Sequence, residues 1–541
     1  MIRQLVELLR GRSVDRSKGH AYVTHQADYY AREAMAEYDS FVPVMADVRE
    51  PSFLLGSARD SQGNAVAVKL GCDEFPAHWL LQGGTGTGKT SFVTSLLARS
   101  LSLGCPVGIV DCKSGLFDAA LSWMGAHAYT LAPADRDAFM RDLVVINPFG
   151  DSLIPLNVCS VLPGGSAETQ AFDVTLTFGR LFDEGVSFRM ASILRHLLLL
   201  LSESNLTLVE SGEILQNDLL RNILVERSSN PIIKEFFFRD YPGMPNASKE
   251  ALLARLNALL LSDNVRCMLG ANECIDFREV FRRGSPVVAF LGKGPGIPEE
   301  QVELIGSLLL QMIFQRAYAL GDCRSRPYQL FLDEFFHLLE APELSKRFDR
   351  ALTSLRSFGV HLALVMHNFT QVSPALRETI LGNCDHIAVF RTSAHNAQAF
   401  GEFMPEYDPN LERRIAGRGR KPGRSDVRRL LVEQLQRLPN RTYYWYDRTK
   451  PYRALRVKVP TLREPHESVG LTEAALNEFI EQHGLRRGGW AVPKTILRQQ
   501  IADRRERLAL LSRPAIRVET EAPPDPVPTT TTTRRRKPRL G

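Results

Sequence analysis

The apolar residues of this chain switch between two periods along its length, and the switches mark out its elements. Residues 51–70 (PSFLLGSARDSQGNAVAVKL) read as two short strands joined by a Gly/Asn turn. Residues 78–83 (HWLLQG) form a brief apolar run that stops at glycine, and 91–103 continue with apolar positions at helical spacing. A second step of the same kind follows at once. Residues 106–111 (PVGIVD) are a β-branched run, and 116–125 (LFDAALSWMG) read as a helix closed by glycine. Such alternation predicts a parallel sheet with helices packed over it.

From about residue 164 to 283 the pattern changes. Apolar positions recur at helical spacing over 190–201, 214–226 and 249–261 with little strand signal, which predicts an all-helical insertion. The sheet resumes at 286–291 (PVVAFL), followed by a helix whose Pro298, Glu299 and Glu300 suit a first turn. Further strands are predicted at 328–332, 361–366 and 386–390, with helices between them. Residues 1 to about 50 read as a helical lead-in. Beyond Pro514 the chain turns Pro- and Thr-rich with a basic end, and no fold is expected there.

Between the first apolar strand and its helix lies GGTGTGKT, residues 83–90, which satisfies GxxxxGK[ST]. Glycines let the backbone curl so that its N–H groups point at phosphate oxygens. Lys89 neutralises β/γ-phosphate charge, and Thr90 offers its hydroxyl to Mg²⁺. Gly83, Gly84, Thr85, Gly86, Thr87, Gly88, Lys89, Thr90 and Ser91 are therefore the predicted nucleotide-binding residues. A chance match in a chain of this length is on the order of one in fifty, and the flanking strand and helix lower it further. The competing reading is a flexible glycine turn. Downstream, the run YQLFL delivers Asp333 and Glu334 to a strand end. An ionised Asp333 would hold the metal with Thr90, while Glu334 would orient and deprotonate the attacking water. Solvated turn acids are the bland alternative. The predicted cofactors are ATP and Mg²⁺, and the predicted activity is that of an ATPase. The predicted fold class is α/β, a RecA-like P-loop core with a mostly parallel central sheet plus an all-helical insertion domain.

Composition adds limits. With 541 residues, 44% hydrophobic and 24% charged, the chain reads as a soluble globular protein with room for a large core and appended modules. Its 8 cysteines are scattered, with no CxxC and no zinc spacing, so they read as reduced core thiols. The opening MIRQLVELLRGR carries charge throughout, unlike a signal peptide. The most apolar stretches, 193–201 and 304–313, fall short of the roughly 18 apolar residues a membrane span needs. A cytoplasmic location is expected. The net charge of +6 conceals an asymmetry: residues 411–541 hold 30 Lys+Arg against 14 Asp+Glu, a balance of +16, leaving −10 (37 against 47) for the rest. A basic C-terminal region suits a polyanion partner, although exposed arginine-rich helices are common.

The order of these motifs resembles the FtsK/HerA superfamily, in particular the conjugative type IV secretion coupling proteins of the TraG/TraD kind, over roughly residues 53–460. FLLGSARDSQGNAVAVKL resembles the strand pair that precedes their P-loop, and HWLLQGGTGTGKT is similar to their HxLLxGxTGxGKT, with His78 in place. IVDCKSG resembles their IxDxKG, LRSFGVHLALVMHNFTQV their LRxxGxxLxxxxQSxxQ, and LGNCDHIAVFRT their strand following an Asn, here Asn383. The helical insertion falls where their all-helical domain does. Chain pattern and resemblance together divide the chain into a lead-in (1–52), the first part of the motor core (53–160), the all-helical insertion (161–284), the second part of the core (285–460), a helical C-terminal extension (461–514) and a Pro/Thr-rich basic tail (515–541) with no expected fold.

The same resemblance implies a homohexameric ring that translocates DNA, with Arg356 as an arginine finger reaching a neighbour's site. It also implies relaxase or secretion-channel partners, and peripheral contact with the inner membrane. The alternatives are an ATPase that powers protein transfer or channel assembly, and a nucleotide-gated scaffold in a defence complex. Two departures stand out. His367 occupies the place of the family's sensor glutamine, though Gln371 keeps the second, and a neutral imidazole still donates one hydrogen bond. A packed core histidine is the other reading of His367. The family's membrane-anchored members begin with transmembrane helices, which this sequence lacks. His78 and Asp111 at strand edges, and Asn383, also admit purely structural roles. The run Tyr443, Tyr444, Trp445, Tyr446 with Arg441, Arg448 and Arg453 reads first as a buried hairpin and second as a base-stacking platform. The basic stretch 413–441 lines DNA or is a solvated face.

Overall fold

The computed structural model describes Val48 and residues 50–511, apart from 61–62, 114, 162–163, 180–186, 319–324, 340–341, 405–423 and 451–453. The predicted lead-in up to residue 47, the basic tail and much of the stretch 413–441 lie outside the described residues.

A single sheet of 11 strands organises the described chain. Seven strands run parallel, in the spatial order β10 (His386–Phe390), β3 (Trp79–Gln82), β9 (Val360–Met366), β8 (Tyr328–Asp333), β4 (Val107–Asp111), β7 (Val287–Phe290) and β5 (Val144–Ile146). An antiparallel wing continues past β10 through β11 (Thr442–Asp447), β12 (Leu455–Lys458), β1 (Ser52–Arg59) and β2 (Ala65–Gly71). A small second sheet pairs β6 (Ser152–Leu153) with β13 (Val492–Pro493). The fold is α/β with a large, mostly parallel sheet.

Because side chains alternate across a strand, the core strands feed two separate cores. Leu362, Leu364 and Met366 of β9 join Leu330 and Leu332 of β8 on one face; Ala363, Val365 and Phe331 join the other. The second face is covered by α1 (Lys89–Leu103), through Phe92, Val93, Leu96 and Leu97, and by α2 (Leu116–Thr130). Every strand residue of β9 is buried, which is why these strands read as continuous apolar runs and not as alternations.

Every regular element described between Ala167 and Arg283 is helical. The predicted helix over 214–226 is two helices, Ser211–Gln216 and Asp218–Arg227. Asn217 breaks the run because its side chain accepts from Leu220 N (3.0 Å) and caps the second helix. Strand β5 is not among the predicted strands, since three residues carry no readable period. The aromatic run 443–446 is part of β11. Tyr443, Tyr444 and Trp445 are fully buried and β11 pairs antiparallel with β12, so the run is the buried hairpin of the first reading and not an exposed stacking platform; it joins the parallel core to the antiparallel wing.

Beyond the sheet, helix Glu473–Gln482 lies on α2, where Gly125 permits the approach: a Cβ there would fall 2.5 Å from Ile480 Cγ1. The terminal helix Lys494–Leu511 returns to the helical region. Its Arg504, 2% exposed, is held 3.2 Å from Glu210 Oε1 and also bonds Thr207, Gly270 and Asn272. Among the described residues no helix is long and apolar enough to cross a membrane.

Candidate nucleotide-binding site

The parallel strands all end on one edge of the sheet, and the predicted chemistry gathers there as expected for this architecture. Gly83 follows β3, and its N–H bonds to Met366 O of β9 at 3.2 Å. Gly84 N–H bonds to Arg391 O (2.8 Å), and the Thr87 hydroxyl donates to Gly84 O (2.8 Å), closing the loop on itself. Gly88 is the N-cap of α1 at φ 110°, a conformation that a side chain would strain. No side chain caps this helix and no acid sits in its first turn. Asn217, Asp276, Ser373 and Thr472 cap other helices, while several, α2 among them, likewise have no capping side chain at the N-cap. A helix start left open for an anion is what a phosphate group requires.

Lys89 is buried, and its Nζ donates to Gly83 O and Gly84 O (3.0 Å) and lies 2.9 Å from His367 Nδ1. Burial lowers the pKa of this ammonium to about 8, against the opposing pull of Asp333 and Glu334. Asp333 ends β8, level with Asp111 of β4 and Val365 of β9. Burial first, then the charges of Asp111 and Glu334, push its pKa up to about 7. Glu334 leaves the strand with φ 53°, a left-handed conformation uncommon for a side-chain-bearing residue, while its N–H bonds to Val365 O at 3.0 Å. Its carboxylate meets His367 Nε2 at 3.2 Å, and burial raises its pKa.

His367 is thus no packed core residue. It follows β9, the strand lodged between β3 and β8, so its ring stands between the lysine of one and the acid of the other. Gln82 Nε2 holds its backbone carbonyl at 3.0 Å and the Thr392 hydroxyl at 2.7 Å. Burial, then Lys89 and Lys113, lower the imidazole pKa to about 4, so the ring is neutral near pH 7. Open glycine turn, lysine, Thr90 at the helix start and an acid pair at the end of β8, one strand beyond β9, form a donor set that fits a triphosphate with Mg²⁺. Thr85, Gly86 and Thr90 are exposed, so the loop faces solvent.

Other predicted residues sit elsewhere. Asp111 is buried and spends its carboxylate on the backbone N–H groups of Lys113, Leu116 and Phe117 (2.8–2.9 Å), which anchors the start of α2. His78 is buried on β3's approach, where Nδ1 accepts from Leu362 N at 2.8 Å. Asn383 donates to Thr379 O (2.8 Å) at its own helix end. Gln371 is exposed. Arg356 precedes β9 and therefore lies at the opposite edge of the sheet, exposed and paired with Asp385 at 2.8 Å. The structure does not bring it to Lys89 of the same chain.

A cavity that sequence reasoning missed adjoins α1. Thr90, Ser91 and Thr94 line it together with Trp123 of α2 and residues 462–466 and 473–477 of the C-terminal region. No motif marks it, because its walls, Arg441 included, come from five separate stretches of chain.

No family model and no curated protein matches this chain. Solved structures do. The plasmid coupling protein TrwB in complex with ADP and Mg²⁺ is similar at 15% identity and a TM-score of 0.50, over 79% of this chain and 92% of that one. VirB4 of Thermoanaerobacter pseudethanolicus is similar at 13% identity and a TM-score of 0.51, over 77% and 98%. At such identities the likeness is one of fold.

Proposed function

We propose that this chain is an ATP-hydrolysing ring motor that translocates DNA, of the type IV secretion and conjugation coupling kind. The observation that carries the ATPase part is the line Lys89, His367, Glu334 beside Asp333, set at an uncapped helix start. Bound Mg-ATP supplies a triphosphate whose terminal phosphoryl is open to attack by water. The backbone N–H groups of residues 84–90 bind its phosphates, and Lys89 turns from the Gly83 and Gly84 carbonyls to neutralise them. Thr90 and Asp333 would hold the Mg²⁺ that screens the phosphate charge. Glu334 takes the proton of the attacking water, with the neutral ring of His367 standing 3.2 Å from its carboxylate. Arg356, facing away from its own P-loop, serves a neighbouring subunit's site in a homohexamer.

DNA as the cargo rests on the basic C-terminal balance of +16 over residues 411–541 and on the motif order described above. Relaxase or channel proteins at the inner membrane are the partners this reading implies. The test is ATPase rate with and without DNA at two salt concentrations. Stimulation that weakens as salt rises supports translocation. ATP turnover with no DNA effect at either salt removes the DNA part and leaves an ATPase that handles protein.

A further inference from the structure

The P-loop accounts for the phosphates of a nucleotide but for nothing beyond them. Beside it, a cavity of about 380 Å³ lies directly against the first turns of α1, within the range of small-ligand sites. Arg441 joins the two. Its N–H bonds to Thr87 O at 2.7 Å, its carbonyl accepts from Val459 N at 2.8 Å, and a Cβ on Gly88 would come 2.9 Å from its Cα. This residue is held at φ 60°, in the left-handed region. The chain that leaves β12 is thereby hung from the phosphate loop and delivers Leu462 and Arg463 to the cavity wall.

The remaining walls are chemically mixed. Trp123 of α2 is half-buried and offers a flat π surface; Leu476, buried by the approach of its helix to Gly125, offers an apolar floor. Thr94, Glu473 and Asn477 supply hydrogen-bonding groups, and the guanidinium of exposed Arg463 provides a second stacking plane. A planar aromatic heterocycle attached to a sugar needs that combination: stacking surfaces for the ring and polar groups for its edge and the hydroxyls.

We infer that this cavity is the nucleoside subsite for a purine nucleotide, with the C-terminal segment 462–477 forming one side of it, so that Trp123 and Arg463 determine affinity for the base. The inference rests on the ATPase reading and extends it to residues outside the motor motifs.

The experiment uses the full chain and two probes, the non-hydrolysable ATP analogue AMP-PNP and inorganic tripolyphosphate, each with Mg²⁺, in titration calorimetry. Trp123→Ala and Arg463→Ala should each weaken AMP-PNP about tenfold or more, the scale of base stacking on a side chain. Tripolyphosphate binding should stay within about twofold, and Trp123→Tyr should restore AMP-PNP binding. In turnover, KM for ATP should rise with little change in kcat. AMP-PNP affinity unchanged in both alanine variants overturns the inference while leaving the ATPase reading intact. Equal weakening of both probes overturns it too, because the damage would then lie in the fold. A wild-type chain that binds neither probe removes the ATPase reading and this inference with it.

Discussion

His367 Nε2 lies 3.2 Å from Glu334 Oε1, while the other nitrogen of the same ring lies 2.9 Å from Lys89 Nζ. One imidazole therefore touches both the carboxylate and the ammonium group of the candidate site. It is neutral near pH 7, since burial and the two neighbouring lysines lower its pKa to about 4.

His367→Ala should lower kcat by about tenfold or more, the cost of one hydrogen bond to a charged group. His367→Gln should retain most activity, because an amide donates and accepts from a similar place. The wild-type pH–rate profile should show no inflection near 6.5 that His367→Gln removes. Steady-state kinetics from pH 5 to 9 decide this.

Glu334→Gln should reduce turnover by about 10²- to 10⁴-fold with nucleotide binding kept, as removal of a general base does. Single-turnover hydrolysis beside equilibrium binding of ATP measures the two separately. Loss of binding instead would show Glu334 to be structural.

With the pKa of Asp333 at about 7 and of Lys89 at about 8, ATP turnover should be confined to a narrow pH window. kcat/KM for ATP should fall below about pH 7 as Asp333 gains a proton and above about pH 8 as Lys89 loses one. Stability has its own sign. The folded pKa of Asp333 is raised from 3.8, so the stability tied to it is present below pH 3.8 and is lost as pH rises through 7. Asp333→Asn should therefore raise the melting temperature of the nucleotide-free protein at pH 8, by about 2–4 °C per kcal/mol regained, and abolish Mg²⁺-dependent turnover.

Breaking the buried pair of Arg504 and Glu210, 2% and 1% exposed, should be costly. Arg504→Ala leaves a buried carboxylate without its partner and should cost about 3–5 kcal/mol in urea unfolding. The double variant Arg504→Leu, Glu210→Leu should recover much of that loss. Equal stability of wild type and Arg504→Ala would mean that the terminal helix is not docked on the helical region.

Arg356 faces away from the P-loop of its own chain and pairs with Asp385 at 2.8 Å. If it completes a neighbour's site, wild-type specific activity should climb with protein concentration as rings form. Arg356→Ala should bind ATP normally, yet lose a factor of about 10³ or more at saturation. Activity independent of concentration in both proteins would exclude action between subunits.

What could be read in advance was whatever depended on near neighbours in the chain. Residues 83–90 curl because the four glycines among them permit it, and Asp333 with Glu334 reach a strand end because the five residues before them, YQLFL, are buried in a sheet covered on both faces. Apolar period likewise marked the strands of the parallel core and the helical stretch between Ala167 and Arg283. Strand β5 was too short to show a period, and Asn217 split a helix by a side-chain bond that apolar spacing does not register.

Strand order lies beyond such reading. By sequence the P-loop strand, the acidic strand and the His367 strand come third, eighth and ninth; in space the ninth lies between the other two. That insertion alone sets His367 against both Lys89 and Glu334, and parallel alignment alone sends Arg356 to the far edge. The cavity by Trp123 needed the C-terminal helices to fold back over α2. The chain by itself determined the phosphate loop and the acid pair, since local backbone chemistry suffices for each. Tertiary packing decided which groups meet, because contacts between residues hundreds of positions apart depend on how whole layers bury their apolar faces.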